Sequence, residues 1–466
     1  MTNFGFSLVT DFRDDSNKIL EFCNDMHPKE INFKANRANK LAYEDEEDFE
    51  NQLLMQKANK CIELVVESDN FDALSFLKEF TDESDFQFQK EIPSSFFTKL
   101  IDYIRNIETN EKYGLLAIQI IGNMWREYDA ELDVLIDQDL VKAVFDVMLM
   151  GFDCDAEVAS LDAVTNLVEH CFDALKEFLN EKTIQKMKDV FIMAMDSRDA
   201  EVLLEKIINL FTAIINSKQF NCDLFISIIY LVDECMERKI NNKLFSSCLN
   251  FIAGLSENKE CLKVIQSLNY IKKVVSFLKE SDEIKKISSC YKILINIAPD
   301  KGLLIKDDII EMLSNHIQKF KDVPVVGIYE YIQSLTEIYP DELYELGFYN
   351  FLFEFSSQLC FQNREYVSEC FCGYLIYGKN YEKKLEFLLS GSLAFVCDII
   401  PCLNNTFAIA KMLNYIIKII QIFSSHAKEV LEQTCILSDL ESIISEQEQA
   451  NDDIIVMYNF IKDSLN

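Results

Sequence analysis

Catalysis and metal binding need particular side chains brought close together, and this 466-residue sequence spaces them apart. Its four histidines, His27, His170, His316 and His426, fall one to a region. His170 and Cys171 are neighbours, but on a helix adjacent residues diverge by ~100°, so they cannot act as a Cys–His pair with each other. Among 15 cysteines the one close pair is Cys370 and Cys372, and no Cys-x-x-Cys with a matching second pair occurs, so no zinc site is expected. Dinucleotide-type Gly-x-Gly-x-x-Gly, a phosphate loop, Gly-x-Ser-x-Gly and His-Glu-x-x-His are all absent. Carboxylate pairs are unavoidable among 78 acidic residues and carry no weight. The sequence is therefore read as non-enzymatic, with no catalytic residue, no metal site and no cofactor.

The remaining chemistry is that of recognition, and charge sets its terms. A formal charge of −33 repels phosphate backbones and anionic lipid, which argues against nucleic acid as a partner and favours basic protein segments. The cysteines lie mostly inside apolar runs such as Phe245-Ser-Ser-Cys248-Leu-Asn-Phe251, where a thiol behaves as a small hydrophobe. Their odd number and irregular spacing speak against a disulfide framework, and so for a reducing compartment, the cytoplasm or nucleus. Asp11, Asp14 and Asp15 interrupt the amino terminus where a secretory signal would need an apolar stretch. The greasiest later stretch, Tyr415 to Phe423, contains Lys418 and Gln421 and is shorter than the ~20 residues of a spanning helix, so no membrane insertion is expected.

The elements that must position any binding residues emerge from self-similarity along the chain. An apolar helix end recurs as Ile120-Ile-Gly-Asn-Met124, Ala163-Val-Thr-Asn-Leu167, Leu210-Phe-Thr-Ala-Ile214 and Phe251-Ile-Ala-Gly-Leu255. It continues as Ile293-Leu-Ile-Asn-Ile297, Ser334-Leu-Thr-Glu-Ile338, Tyr374-Leu-Ile-Tyr-Gly378 and Ile417-Lys-Ile-Ile-Gln421. The anchors at 123, 166, 213, 254, 296, 337, 377 and 421 are 40 to 47 residues apart. Each period reads as a short helix, a turn, a second helix, a polar loop and a longer third helix, as over Leu255–Ala298. One unit cannot bury its apolar face alone, so stacking into a solenoid is expected. With 11 Gly and 6 Pro, the chain has too few turn residues for an architecture of tight β-turns.

This pattern resembles the armadillo-repeat family, the solenoids of the beta-catenin and importin-alpha kind. Val134-Leu-Ile-Asp-Gln-Asp139-Leu-Val-Lys-Ala-Val-Phe145 resembles that family's passage from first to second helix, and Glu157-Val-Ala-Ser-Leu-Asp-Ala-Val-Thr-Asn-Leu167 its third helix. The family places Gly at the bend between the first two helices. Gly347 and Gly391 match, while Asp139, Asn269 and Asp308 stand there instead, residue types that tolerate left-handed backbone. The resemblance implies an all-α, right-handed superhelical solenoid of about eight three-helix repeats, with a two-helix HEAT-like array as the structural alternative.

The resemblance also implies where a ligand would lie, since the family's third helices line a concave groove. There an Asn holds the ligand's main chain and a Trp four residues earlier flanks its side chains; an amide matches a peptide bond whatever side chains the ligand carries. Carried over, the Asn is kept at Asn123, Asn166 and Asn296 and replaced by Ala213, Gly254, Glu337, Tyr377 and Gln421. At the Trp position stand Gln119, Asp162, Asn209, Asn250, Lys292, Gln333, Gly373 and Ile417. The expected groove therefore comprises Gln119, Asn123, Asp162, Asn166, Asn209, Asn250, Lys292, Asn296, Gln333 and Glu337. The chain's single Trp, Trp125, falls outside that row and is read as a core or rim residue.

Residues 1–50, with the acidic run Glu44–Asp48, are read as a weakly ordered segment, residues 51–93 as capping helices and 94–466 as the solenoid. The basic residues Lys29, Lys34, Arg37 and Lys40 are few for a carrier-docking arm of the importin-alpha kind, and a tail folding back onto the groove is the alternative. Three roles remain open at this point. They are a scaffold or adaptor holding an extended or helical segment of a partner protein, a divergent nuclear-transport adaptor, and a structural or regulatory subunit of a larger complex.

Overall fold

The computed structural model describes residues 40–83, 92–126, 137–150, 154–171, 175, 178–197, 200–218, 220–238, 240–297, 307–403, 405–446 and 452–465. Expectations for residues 1–39 and for the turn before Asp137 fall outside this set. Among the described residues the secondary structure is helical, without a strand. The chain divides into two compact units, Met1–Phe251 and Ile252–Asn466.

In the first unit ten helices are described: α1 (Lys40–Ser68), α2 (Phe71–Asp82), α3 (Ser94–Arg105), α4 (Glu111–Arg126), α5 (Gln138–Met148), α6 (Cys154–Cys171), α7 (Glu181–Met195), α8 (Glu201–Asn216), α9 (Cys222–Glu237) and α10 (Asn242–Ser256), the last running across the division. Asparagine starts many of them: Asn70, Asn180 and Asn221 accept backbone N–H groups at the first turns of α2, α7 and α9. The anchor helices α4, α6 and α8 stack one on the next, and α2 precedes them in the same row. Helices α3, α5 and α7 each back the anchor helix that follows them. An anchor helix with neighbours on several sides needs a wide apolar face, and α4 buries Ala117, Ile118, Ile120, Ile121, Met124 and Trp125. Each large apolar side chain buried this way contributes about 1.5–3 kcal/mol. Helix α1 begins at Lys40, ahead of the expected boundary near residue 51.

The second unit continues with α11 (Lys259–Ser267), α12 (Tyr270–Glu280), α13 (Ile284–Ile297), α14 (Asp307–Lys319), α15 (Val326–Ile338), α16 (Pro340–Glu345), α17 (Phe348–Phe355), α18 (Phe361–Tyr377), α19 (Tyr381–Phe387), α20 (Leu393–Ile399), α21 (Thr406–Phe423), α22 (Ser425–Glu432), α23 (Ile436–Glu446) and α24 (Asp452–Leu465). Anchor helices α13, α15, α18 and α21 stack in order, and α24 stacks on α21. The repeat therefore extends one unit beyond the last sequence anchor, through α22, α23 and α24.

All eight anchors lie in helices, and the chain is an all-α solenoid. The three-helix pattern, however, does not hold in every repeat. Between α8 and α9 only residues 217–221 intervene, and between α9 and α10 only 238–241, too few for a further helix. These repeats are two-helix units of the HEAT-like kind. In the second unit α11–α12–α13, α16–α17–α18 and α19–α20–α21 are three-helix units. Their bends are left-handed at Asn269 (φ 56°), Gly347 (φ 72°) and Gly391 (φ 107°), as the sequence pattern leads one to expect. Asp139 and Asp308 are helical instead, within α5 and α14, and make no such bend.

By length and composition two runs, Tyr381–Cys402 and Thr406–Phe423, could cross a membrane, which amends the reading of Tyr415–Phe423 alone. The first is broken at Gly391. Both bury one face within the second unit, through Phe387, Leu388, Leu393 and Val396 in one case and Ile409, Met412, Leu413 and Ile416 in the other.

Candidate protein-binding face

Side-chain hydrogen bonds in both units repeat with the period of the sequence. In the first unit Asn123 Nδ2 donates to Thr81 Oγ1 (3.2 Å), and Asn166 Nδ2 donates to the Gly122 carbonyl (2.9 Å), each reaching the preceding anchor helix. Arg126 donates to the Thr81 and Asp82 carbonyls (3.4 and 3.2 Å) at the C-terminal end of α2, where a cation is favoured. Asp162 is paired with Lys206 of α8 (2.7 Å). The amides predicted to hold a ligand's main chain thus first hold neighbouring repeats together. Asn123 and Asn166 each keep one side-chain N–H and a carbonyl oxygen unused among the described residues, and the side chains of the half-buried Gln119 and Asn209 make no hydrogen bond there. Asn250 is exposed on α10. Trp125 is fully buried.

The same rule operates in the second unit. Asn296 Nδ2 donates to Ser256 Oγ (2.8 Å), whose hydroxyl donates onward to the Ala253 carbonyl (2.7 Å). Lys292 is paired with Glu257 (2.7 Å). Gln333 of α15 donates to Glu369 of α18, and Lys411 of α21 pairs with the other carboxylate oxygen of Glu369 (2.6 Å). Glu369 is only 8% exposed, so one buried carboxylate ties three consecutive anchor helices.

Around Glu369 lies a feature that the two-column alignment missed. Glu365, Glu369, Gly373 and Tyr377 share one stripe of α18 at intervals of four residues, facing Glu330, Gln333 and Glu337 of α15 on one side and Lys411 and Tyr415 of α21 on the other. Burial and the charge of Glu369 push the Glu365 carboxyl above its ordinary value, partly offset by Lys411. Burial, then Glu365, Glu369 and Glu330, push the Tyr366 phenol up, and its ring stacks on Tyr329 at 5.4 Å. Tyr415 is raised by burial and by Glu369, Cys372, Tyr377 and Glu337. Tyr377 is 43% exposed. Glu330, Glu337 and Glu365 form no ion pair among the described residues. The face therefore combines surplus negative charge with one exposed phenol ring, Tyr377, and two half-buried ones, Tyr366 and Tyr415, a combination that attracts cations by charge and by ring quadrupole. Extending the expected row by two helical turns toward the start of α18 would have found Glu365 and Glu369.

Several thiols elsewhere are held inert by burial. Burial raises the thiols of Cys370 and Cys372 and pushes Cys290 and Cys397 up to about 12. His316 is buried between Tyr291 and the Leu278 carbonyl, and His170 is exposed on α6. Among the described residues no group of His, Cys, Asp and Glu is placed to hold a metal ion.

No protein-family model matches the sequence, and no curated protein matches it. Among solved structures, an engineered protein superposes with a TM-score of 0.52 at 11% identity, over 88% of this chain and 98% of that one. Importin beta superposes with a TM-score of 0.56 at 12% identity, covering 88% of this chain and 53% of importin beta. Kap121p, solved bound to Ste12p, superposes with a TM-score of 0.57 at 12% identity, covering 90% of this chain and 46% of Kap121p. The chain thus spans about half the length of those two proteins, and at these identities the likeness is one of fold, an α-helical solenoid.

Proposed function

We propose that this chain is a non-enzymatic protein-binding scaffold that holds a basic, extended segment of a partner along its anchor helices, in the cytoplasm or nucleus. The observation that carries this reading is the α15–α18–α21 face, where Glu330, Glu337 and Glu365 form no ion pair among the described residues and stand beside Tyr366, Tyr377 and Tyr415. The net charge of −33 adds long-range attraction for such a ligand. Kap121p, a solenoid of similar fold, is seen with a protein partner, Ste12p, which supports a partner of the same general kind here. The amides of Gln119 and Asn209 and the spare valences of Asn123 and Asn166 supply main-chain hydrogen bonding in the first unit.

The test is titration of the full chain with a short fluorescent arginine-rich peptide. Combining Tyr377→Ala with Glu337→Gln, both exposed positions, should weaken binding about tenfold while leaving the melting temperature in place. Unchanged affinity in that variant would remove the site from this face.

A further inference from the structure

A second surface is built from residues outside the anchor helices. Helix α19 and the wide turn after it, Leu388–Ser392, present Tyr381, Leu385 and Leu389 at intervals of four residues. Tyr381 is 46% and Leu389 52% exposed, and the stripe lines an open cavity of about 730 Å³ together with Glu382, Glu386 and Ser390. Tyr381 is held in place by stacking on Phe423 at 5.4 Å.

The corresponding first helices of neighbouring repeats show what an ordinary solvated face looks like in this unit. Helix α11 exposes Lys259, Glu260 and Lys263, and α22 exposes Ser425, Glu429 and Glu432. Helix α19 instead places two large apolar groups there, Tyr381 and Leu389, each about half exposed, and leaving them in water has a cost that an uncovered helix has no reason to bear. The rim is acidic. Glu382 and Glu386 form no ion pair among the described residues, while the adjacent Lys383 is already taken by Glu345 of α16.

We infer that this stripe is a docking surface for an amphipathic α-helix of a partner protein, with leucine-like residues on one face and lysine or arginine flanking them. A stripe spaced by four residues is the ridge that a second helix receives in its own groove. The flanking cations of that helix would meet Glu382 and Glu386. This surface shares no side chain with the α15–α18–α21 face, so either can fail without the other.

The probe is a synthetic amphipathic peptide with leucines along one helical face and lysines beside them, set against a scrambled peptide of identical composition and charge. Anisotropy titrations use the full chain. The patterned peptide should bind at least about tenfold more tightly than the scrambled one, and Leu389→Asp should abolish that difference. Because Leu389 is half exposed, the variant should keep its helical circular dichroism and melting temperature. Glu429→Gln, on the ordinary solvated face of α22, should leave the difference between the two peptides unchanged. Equal binding of both peptides, a difference that persists in Leu389→Asp, or loss of the difference with Glu429→Gln would each overturn the inference.

Discussion

Single side chains in this protein act mostly across one repeat, and their partners decide what they can do. His316 is the clearest case. Its Nε2 lies 3.1 Å from the Leu278 carbonyl and must carry the proton, which leaves Nδ1 to accept from Tyr291 Oη at 2.7 Å. Burial, the largest influence, depresses its basicity, so the folded chain keeps the ring neutral where the unfolded chain would protonate it. Below the unfolded value of about 6.5 the unfolded state binds a proton that the native state refuses, and stability falls until the folded pKa is passed. Melting temperature should therefore drop between pH 7.5 and 5.5, and His316→Gln should flatten that part of the profile. An identical slope in the variant would assign the acid loss to other groups. The sequence marked His316 only as an isolated histidine, because Leu278 and Tyr291 become its neighbours through packing.

At the scale of elements, a three-helix repeat is here a two-helix repeat whose first helix has been broken by one left-handed residue. Helix α9 runs unbroken for 16 residues, whereas the longer span Lys259–Glu280 is divided into α11 and α12 at Asn269. The period survives either way, since it is set by the stacking of anchor helices and not by the bend. Asn269→Gly should match or slightly exceed the native stability, and Asn269→Ala should lose about 1 kcal/mol, because alanine pays the full left-handed penalty. Urea midpoints compare them directly, and an alanine variant as stable as the glycine one would mean that the bend relaxes. The pattern located the breaks at Asn269, Gly347 and Gly391, but it also expected them at Asp139 and Asp308, which are helical. Aspartate at those positions serves a helix start as readily as a bend, and only backbone geometry separates the two uses.

At the scale of the whole molecule, charge governs encounter. With a net −33, the affinity of the arginine-rich peptide should fall steeply as salt is raised from low to physiological ionic strength and beyond. A salt-independent affinity would mean that apolar contact, and not the carboxylates, holds the ligand.

The sequence alone determined the helical class, the period of about 42 residues and the eight anchors, because apolar periodicity is a local property that each helix carries in its own residues. The ten expected groove positions came from carrying the armadillo resemblance onto those anchors. The partners that several of these side chains take were visible only in the tertiary structure. Asn123, Asn166 and Asn296 are partly spent on the preceding repeat, and Glu369 gathers Gln333 and Lys411 from two other helices. Side chains one repeat apart meet only when stacking sets the rotation and spacing of adjacent helices. That geometry comes from how whole apolar faces interlock, and no single repeat contains it.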